Sequence, residues 1–239
     1  MVAIIGHRGA RNLWPENSLD GFRRTLALGI DGVEFDVHRA RCGTPVVIHD
    51  PTLERTTKGR GAVASHSAAE LALIGVPSLE MVLDVFAGST MELHIEIKTD
   101  ALGRPYEGLE RLLIELIARR GLQGHAILTC FVPEVLETVR QLSPAQRILG
   151  SLDRRSAELF GGLPRALDRF AAIDDCLLAV ERSLLADSLD VCRQRLGGER
   201  LGAWVTNEPD DIAFWLAQPI RQITTDRPDL ALARRSMSN

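Results

Sequence analysis

The chain has 239 residues, of which 45% are hydrophobic and 25% are charged. These proportions are typical of a globular protein and exclude a disordered chain, a collagen-like repeat and a simple coiled coil. The formal net charge of -4 disfavours nucleic acid as the main partner, because phosphate backbones favour a basic protein face, although a small phosphorylated substrate needs only local positive charge.

Short apolar runs rich in Val, Ile and Leu recur along the chain. Several of them are too continuously apolar to alternate, as expected of parallel strands that are covered on both faces. The predicted strands are AIIG (3–6), VEFDV (33–37), PVVIH (45–49), LHIEI (93–97), AILTCF (126–131), RILGSL (147–152), CLLAV (176–180), LGAWV (201–205) and QITT (222–225).

Most of these runs are separated by amphipathic stretches with the period of an α-helix. Two of the stretches begin with Pro at or near the first helical turn, where its missing N–H costs nothing. The predicted helices span 18–28, 106–120, 133–142, 183–196 and 209–216. The polar tail, 234–239, is expected to fray.

The strand count favours a closed barrel. A parallel crossover needs a dozen or more residues, but only 38–44 join the second and third strands, so these two should form an antiparallel hairpin that turns near Cys42–Gly43. Without the return strand eight remain, the number that closes a (β/α)8 TIM barrel. We therefore expect a single domain, 1–239, with a small hairpin and cap insertion at about 38–76. An open doubly wound sheet fits less well, because no Gly-rich dinucleotide motif follows the first strand.

Carboxylates gather at the predicted strand ends, where barrel enzymes carry their catalytic residues. Glu34 and Asp36 share one face of a strand, and Glu96 shares a face with His94 and Lys98. Adjacent carboxylates repel each other unless a proton or cation lies between them. Three acids without a Cys or paired-His partner favour a hard cation, Mg²⁺ or Ca²⁺, over zinc. Ion pairs with the abundant Arg are the alternative interpretation.

His7 follows one predicted strand and His49 ends another, so a general acid/base pair is plausible beside a structural role. Lys98 stands out because the only other lysine is Lys58, although Lys and Arg together number 28. A lysine at a strand end of an Arg-rich chain suggests a need for a compact ammonium group. The remaining histidines are interpreted as structural or surface residues; they are His38, His66, His94 and His125.

The motifs taken together resemble those of the glycerophosphodiester phosphodiesterase family. They are GHRGA (6–10), WPENSL (14–19), GVEFDVHRA (32–40), PVVIHDPTLERTTKGRG (45–61), VPSLEMVLD (76–84), LHIEIK (93–98), AWVTNEPDDI (203–212) and ITTDRPDL (223–230). The combination is specific, whereas each motif alone is weak. The similarity is dense over 6–98 and returns over 201–230.

The resemblance implies a metal-dependent hydrolase with a TIM barrel and a cap after the second strand. The expected reaction converts glycerophosphodiesters into glycerol 3-phosphate and an alcohol, within glycerol and lipid metabolism. By the same resemblance, Glu34, Asp36 and Glu96 hold the divalent cation, Mg²⁺ or Ca²⁺, and His7 and His49 are the acid/base pair.

Further site residues follow from the same resemblance. Arg8 and Lys98 match phosphate-contacting positions, and Trp204 matches a wall for the glycerol moiety. Glu16 and Asn17 are expected to brace the mouth and to reach the metal or His7.

Three segments depart from the family pattern on the alcohol side of the pocket and leave the head group open. They are Cys130–Phe131, Trp204-Val205-Thr206-Asn207 and the run 218–222.

Alternative functions stay open from the sequence alone. A lysophospholipase D would cleave a lipid phosphodiester. A lyase would use Lys98 as a Schiff base, and a non-catalytic relative would only bind phosphodiesters. The expected partner is a small-molecule substrate, with no nucleic acid and no stable membrane insertion, since no run of about 18 apolar residues occurs. A homo-oligomer is left open.

The expected location is the cytoplasm. The N-terminal MVAIIGHRGA has no signal-peptide pattern. The cysteines form no C-x-x-C pattern and are interpreted as reduced, mostly interior thiols; they are Cys42, Cys130, Cys176 and Cys192.

Overall fold

The computed structural model describes residues 1–237 of the chain. Its strands, in chain order, belong to one sheet. They are β1 (Ala3–Gly6), β2 (Gly32–Arg39), β3 (Pro45–Val47), β4 (Glu92–Ile97), β5 (Ala126–Cys130), β6 (Arg147–Leu152), β7 (Leu177–Glu181), β8 (Leu201–Trp204) and β9 (Gln222–Thr225).

The sheet closes into a barrel of eight parallel strands in the order β1-β9-β8-β7-β6-β5-β4-β2, because β2 also pairs with β1. The parallel register runs through Gly6↔Val33 and Gly6↔Thr225 at the closure. Strand β3 lies outside the ring and pairs antiparallel with β2, with Val37 opposite Val47. The predicted TIM barrel with a hairpin after the second strand is therefore confirmed.

Helices follow most of the barrel strands and cover the outside of the ring. They are α1 (Leu19–Leu28), α2 (Ala68–Leu73), α3 (Leu79–Val85), α4 (Leu109–Arg119), α5 (Pro133–Leu142), α6 (Arg154–Leu159), α7 (Leu163–Ala171), α8 (Arg182–Leu196), α9 (Pro209–Leu216) and α10 (Pro228–Ser236). Within residues 1–237, no helix combines the length and the apolar character that a membrane span requires.

The expected fraying of the tail is wrong for residues 234–236. These residues belong to α10, and Arg235 forms an ion pair with Asp31. Residues 238 and 239 lie outside the described part of the chain.

The main core lies between the barrel and its helices. The rings of Phe35 and Phe86 each meet Phe22 edge-on, at centroid distances of 5.5 and 5.8 Å. A second, smaller apolar group lies among the barrel strands and consists of Ile127, Leu149 and Ala179. This packing fixes the strands whose ends carry the polar residues.

The segment that follows β2 has an apolar cluster of its own. Its buried members include Val46, Leu53, Val63 and Leu71. Isolated antiparallel bridges join Val46 to Ser78 and Thr52 to Ala62 within this part of the chain. The segment therefore packs as an ordered unit and carries residues 49–55 to the barrel mouth.

Candidate active site

Three carboxylates meet at the carboxyl ends of two adjacent barrel strands. Glu34 and Asp36 lie on β2 and Glu96 lies on β4, where the strand register places Asp36 beside Glu96. One oxygen from each acid lies within 4.8 Å of the other two. Alternate residues of a strand point to the same face, which is why the E-x-D spacing brings both β2 acids to one side.

This cluster fits a hard divalent cation. Oε1 of Glu34 is buried and has no hydrogen-bond partner among the described residues. Burial raises the pKa of Glu34 well above its ordinary value, and the charges of Asp36 and Glu96 raise it further. Three oxygen donors, one of them unpaired, form the ligand set that Mg²⁺ or Ca²⁺ prefers, and a cation there would remove the mutual repulsion.

Within the cluster, Asp36 is the acid whose negative charge is best compensated by neighbouring groups. It accepts a hydrogen bond from Nδ2 of Asn17 at 2.8 Å, and its oxygens lie 3.2 Å from Nζ of Lys98 and 3.4 Å from Nε of Arg8. Burial alone would raise the pKa of Asp36, but Lys98 and Arg8 outweigh burial and lower it. Nζ of Lys98 also donates to Oε1 of Glu96 at 2.7 Å, so one ammonium group serves two acids.

A tight turn after β1 presents His7 and Arg8 to the same cluster. Arg8, Gly9 and Ala10 all adopt left-handed backbone conformations, with φ of 49°, 72° and 64°. Gly9 is required there, because a Cβ atom would lie 2.9 Å from Cδ1 of Phe22 and L-residues disfavour positive φ. The turn directs the backbone N–H of Arg8 to Oε2 of Glu34, at 3.1 Å. Strained turns of this kind concentrate at functional sites.

His7 is held by a buried carboxylate. Its Nδ1 lies 2.6 Å from Oδ1 of Asp226. The other ring nitrogen, Nε2, faces Glu34 and lies 3.9 Å from its Oε2. Asp226 also accepts from Nδ2 of Asn207 at 2.7 Å and pairs with Nε of Arg11 at 2.9 Å. Burial would raise the pKa of Asp226, but the hydrogen bond from His7 and the other contacts lower it to about 2.

His49 has a similar arrangement built from different elements. Its Nδ1 lies 2.6 Å from Oδ1 of Asp50, and its backbone carbonyl accepts from Nε2 of His38 at 3.0 Å. Burial lowers the pKa of His38 to about 4, so the neutral ring donates from Nε2 and accepts from the hydroxyl of Tyr106 at Nδ1. Burial also lowers the pKa of His49, although Asp36 opposes the shift. The rings of His7 and His49 are thus both oriented by carboxylates at Nδ1, on the side away from Nε2.

A cavity of about 250 Å³ opens between these groups. Its lining combines charged side chains, Arg8 and Lys98 among them, with the apolar side chains of Phe131, Trp204, Leu149 and Ala179. The indole Nε1 of Trp204 donates to the carbonyl of Ala179 at 3.0 Å, and its ring meets Phe131 edge-on at 5.5 Å. A lining of this kind suits a ligand that has an anionic group and a small, partly apolar group.

Seven of the ten sequence-predicted site residues line this cavity, and the other three, Asp36, Glu16 and Asn17, contact residues that line it. Glu16 reaches Arg8 and Arg55, and Asn17 reaches Asp36. The predicted set is Glu34, Asp36, Glu96, His7, His49, Arg8, Lys98, Trp204, Glu16 and Asn17. His94 also lines the cavity, but its hydrogen bond goes to Glu92, toward the opposite end of β4.

Four residues of the site were assigned no catalytic or binding role from the sequence: Asp226, Asp50, Asn207 and Arg55. Asp226 directly follows the strand motif QITT, Asn207 lies two positions after LGAWV, and Asp50 follows His49, so strand-end position was a usable signal for three of them. Arg55 lies within the motif 45–61, but neither a strand end nor a spacing separates it from the other arginines of the chain.

The family model for the Glycerophosphoryl diester phosphodiesterase family matches residues 7–230 of the chain. A glycerophosphodiester phosphodiesterase of Caldanaerobacter subterraneus subsp. tengcongensis is 26% identical over 95% of this chain and 94% of its own length. The Bacillus subtilis protein YqiK is 34% identical, with 98% of each chain covered.

Solved structures show the same fold. A protein of Agrobacterium tumefaciens, provisionally named a glycerophosphoryl diester phosphodiesterase, is similar with a TM-score of 0.88 and 27% identity over 100% of this chain and 98% of its own. An Oleispira antarctica phosphodiesterase, solved in complex with the product sn-glycerol-3-phosphate, has a TM-score of 0.81 and 22% identity over 98% of this chain and 96% of its own.

Proposed function

The chain belongs to the glycerophosphoryl diester phosphodiesterase family, and we propose that it hydrolyses glycerophosphodiesters to sn-glycerol 3-phosphate and an alcohol. The family is one of enzymes, and the relative from Caldanaerobacter is named for this activity. The observation that carries the proposal is the pair of imidazoles, each bound at Nδ1 by a carboxylate, next to a cluster of three further acids and to a cavity that Arg8 and Lys98 line.

The three acids would hold the divalent cation. Glu34, Asp36 and Glu96 supply its oxygen ligands in the proposed enzyme, and the ion, Mg²⁺ or Ca²⁺, would supply positive charge to the phosphoryl oxygens. Asn17 orients Asp36 through its 2.8 Å hydrogen bond. The unpaired oxygen of Glu34 is the feature of this chain that most directly supports the assignment.

Arg8 and Lys98 are proposed to bind the phosphate. A phosphodiester resists attack because its anionic oxygens repel the nucleophile, and fixed cations relieve that repulsion most in the transition state. Both side chains are already held by carboxylates. Arg8 pairs with Glu16 and Asp36. Lys98 pairs with Glu96 and Asp36. Their charges are therefore fixed in place before substrate arrives, which is the condition for electrostatic catalysis.

The two histidines are proposed to move the protons. One Nε2 accepts the proton of the attacking oxygen as the new O–P bond forms, and the other Nε2 donates a proton to the leaving oxygen as the old O–P bond breaks. Asp226 and Asp50 hold a proton on each Nδ1. Nε2 is therefore bare in the histidine that acts as the base, and it carries the transferable proton in the histidine that acts as the acid, which starts as the imidazolium. The attacking oxygen belongs to water or to the neighbouring glycerol hydroxyl; the second route gives a cyclic phosphate that water then opens.

We also place the enzyme in the cytoplasm as a single catalytic domain over 1–239. The four cysteines are free in the structure, and three of them are buried, which fits a reducing compartment.

The test is release of glycerol 3-phosphate from glycerophosphocholine and glycerophosphoethanolamine, with and without chelator. The His7→Ala/His49→Ala double variant, purified in the same way, reports contaminating activity. Lysophosphatidylcholine is assayed in parallel, because preference for it would favour the lysophospholipase D alternative. Absence of release from every glycerophosphodiester at several divalent-ion concentrations would overturn the proposal.

A further inference from the structure

Arg55 binds two carboxylates at once, from the segment that follows β3. Its Nε and Nη2 donate to Oδ2 and Oδ1 of Asp50 at 2.6 and 3.0 Å. Its Nη1 and Nη2 donate to Oε2 and Oε1 of Glu16 at 2.9 and 2.7 Å. The guanidinium therefore uses two edges, each in a bidentate contact.

Each of the two carboxylates also holds a residue of the active site. Oδ1 of Asp50 accepts from Nδ1 of His49 at 2.6 Å, and Oε1 of Glu16 accepts from Nη1 of Arg8 at 3.3 Å. A continuous chain of hydrogen bonds thus runs from Arg8 through Glu16, Arg55 and Asp50 to His49. The chain joins the anion-binding side of the cavity to one of the two imidazoles.

The geometry requires an arginine. A lysine ammonium is a point charge and cannot make two planar bidentate contacts at fixed angles, whereas the guanidinium fork matches both carboxylates. The side chain of Arg55 is 46% exposed, so a single ion pair there would contribute little to stability. The hydrogen bond from Arg55 is the main reason that the pKa of Asp50 is lowered to about 2, so Asp50 stays a full acceptor for His49.

We infer that Arg55 is a positioning residue for the reaction. It fixes Asp50, so that His49 keeps its Nδ1–H tautomer and its orientation, and it fixes Glu16, so that Arg8 keeps its place beside Asp36. The inference rests on the proposed function for its kinetic consequences, while its structural consequence for His49 does not depend on which substrate is cleaved.

The kinetic experiment compares Arg55→Lys and Arg55→Ala with Arg60→Lys and Arg60→Ala, since Arg60 is an exposed arginine of the same segment. We expect both Arg55 variants to lose at least about tenfold in kcat and both Arg60 variants to stay within about twofold. Thermal unfolding of all four reports the folded state, and Arg55→Lys provides the conservative change should Arg55→Ala lose stability. A kcat of either Arg55 variant within about twofold of wild type would contradict the inference.

A double-mutant cycle separates positioning from general destabilisation. Asp50→Ala removes the acceptor through which Arg55 acts on His49. In that background Arg55→Ala should cost clearly less in kcat than it costs in the wild-type enzyme, because the two residues act as one unit. Losses that simply multiply would show that Arg55 acts independently of Asp50 and would overturn the inference.

The decisive structural readout is the ¹⁵N spectrum of the His49 imidazole in the wild type and in the Arg55 variants. We expect a proton on Nδ1 in the wild type and a mixture of tautomers in Arg55→Ala, with the Arg60 variants unchanged. An unchanged Nδ1–H tautomer in Arg55→Ala would refute the inference. If the wild type releases no glycerol 3-phosphate, the proposed function fails, and this spectrum still decides the role of Arg55.

Discussion

His7 and Asp226 are 219 positions apart in the sequence, yet Nδ1 of His7 lies 2.6 Å from Oδ1 of Asp226. The contact exists because β1 pairs with β9 in parallel, with Gly6 beside Thr225, so the residues that follow the two strands meet. Closure of the barrel and orientation of one proposed acid/base residue therefore depend on the same strand pair. Loss of the last strand would disorganise both.

The contact predicts a pH-dependent contribution to stability. The pKa of Asp226 is lowered from its ordinary 3.8 to about 2, so its ionised form stabilises the folded state fully above pH 3.8 and loses that effect as the pH falls to about 2. Linkage gives a contribution of about 2 kcal/mol at pH 6 and about 1 kcal/mol at pH 3. Urea unfolding of wild type and Asp226→Asn at both pH values should show this difference shrinking by about half.

The control for this prediction is Asp190→Asn, because Asp190 is an exposed aspartate on α8. Its free energy of unfolding should differ from wild type by less than about 0.5 kcal/mol at both pH values. A difference between wild type and Asp226→Asn that stays constant from pH 6 to pH 3 would show that ionised Asp226 is not the source of the stability.

The barrel could be predicted from the sequence because its strands and its short connection are visible as local patterns of residues. The runs predicted for β1, β6 and β9 match the observed strands at both ends, and a short connection was enough to identify the β2–β3 hairpin. The exact ends of helices could not be predicted in the same way, because they depend on backbone conformations that hydrophobic periodicity does not show. Helix α4 begins at Leu109 and not at 106, because Gly108 has a left-handed φ of 72°. Helix α2 has six residues, too few for a helical period to be recognised.

The site was predictable only in part, because strand ends can be recognised in the sequence and the partners of side chains cannot. Glu34, Asp36, Glu96 and His49 lie within predicted strands and His7 directly follows one, and the carboxyl ends of strands converge in any parallel barrel. The partners of the histidines depend on which strands become neighbours and on how side chains rotate. A local sequence pattern shows neither of these. Arg55 illustrates the limit: its two bidentate contacts arise from the fold of the β3–α2 segment, 39 positions from Glu16 and five from Asp50.

The acidic cluster predicts that activity depends on a divalent cation. Glu34→Gln, Asp36→Asn and Glu96→Gln should each abolish turnover and weaken metal binding, because each removes a charged oxygen ligand. Glu34→Gln should leave the metal-free protein at least as stable as wild type, since it removes repulsion from Asp36 and Glu96. Calorimetric Mg²⁺ and Ca²⁺ titrations, thermal unfolding and assays after EDTA treatment measure these effects.

Glu107→Gln is the matched control for the cluster, because Glu107 is an exposed glutamate away from the cavity. It should bind metal and turn over substrate like the wild type. Full activity after exhaustive removal of divalent ions would show that the three acids do not serve a metal.

We predict that one of the two histidines is the general acid and the other the general base, and that substrates with different leaving groups distinguish them. His7→Ala and His49→Ala should each lose at least about 100-fold in kcat with little change in KM, because general acids and bases act on the reacting oxygens. An acidic leaving group such as nitrophenol departs without protonation, so it should restore activity only to the variant that lacks the acid. The substitution His125→Gln, at a histidine outside the cavity lining, should keep kcat within about twofold of wild type. Near-wild-type turnover of either alanine variant would exclude that residue from proton transfer.

Lys98 predicts a size-limited cation site. Its ammonium fits between Oε1 of Glu96 at 2.7 Å and Oδ1 of Asp36 at 3.2 Å, at the cavity wall. The wider guanidinium of Lys98→Arg keeps the charge but must displace a carboxylate or intrude on the space proposed for the phosphate. We expect a loss of at least about tenfold in kcat/KM, equivalent to about 1.4 kcal/mol. Lys58→Arg provides the comparison, because Lys58 is the chain's other lysine and is exposed in the segment after β3. Steady-state kinetics of both variants measured together test the size argument, and equal performance of the two would show that Lys98 supplies only a positive charge.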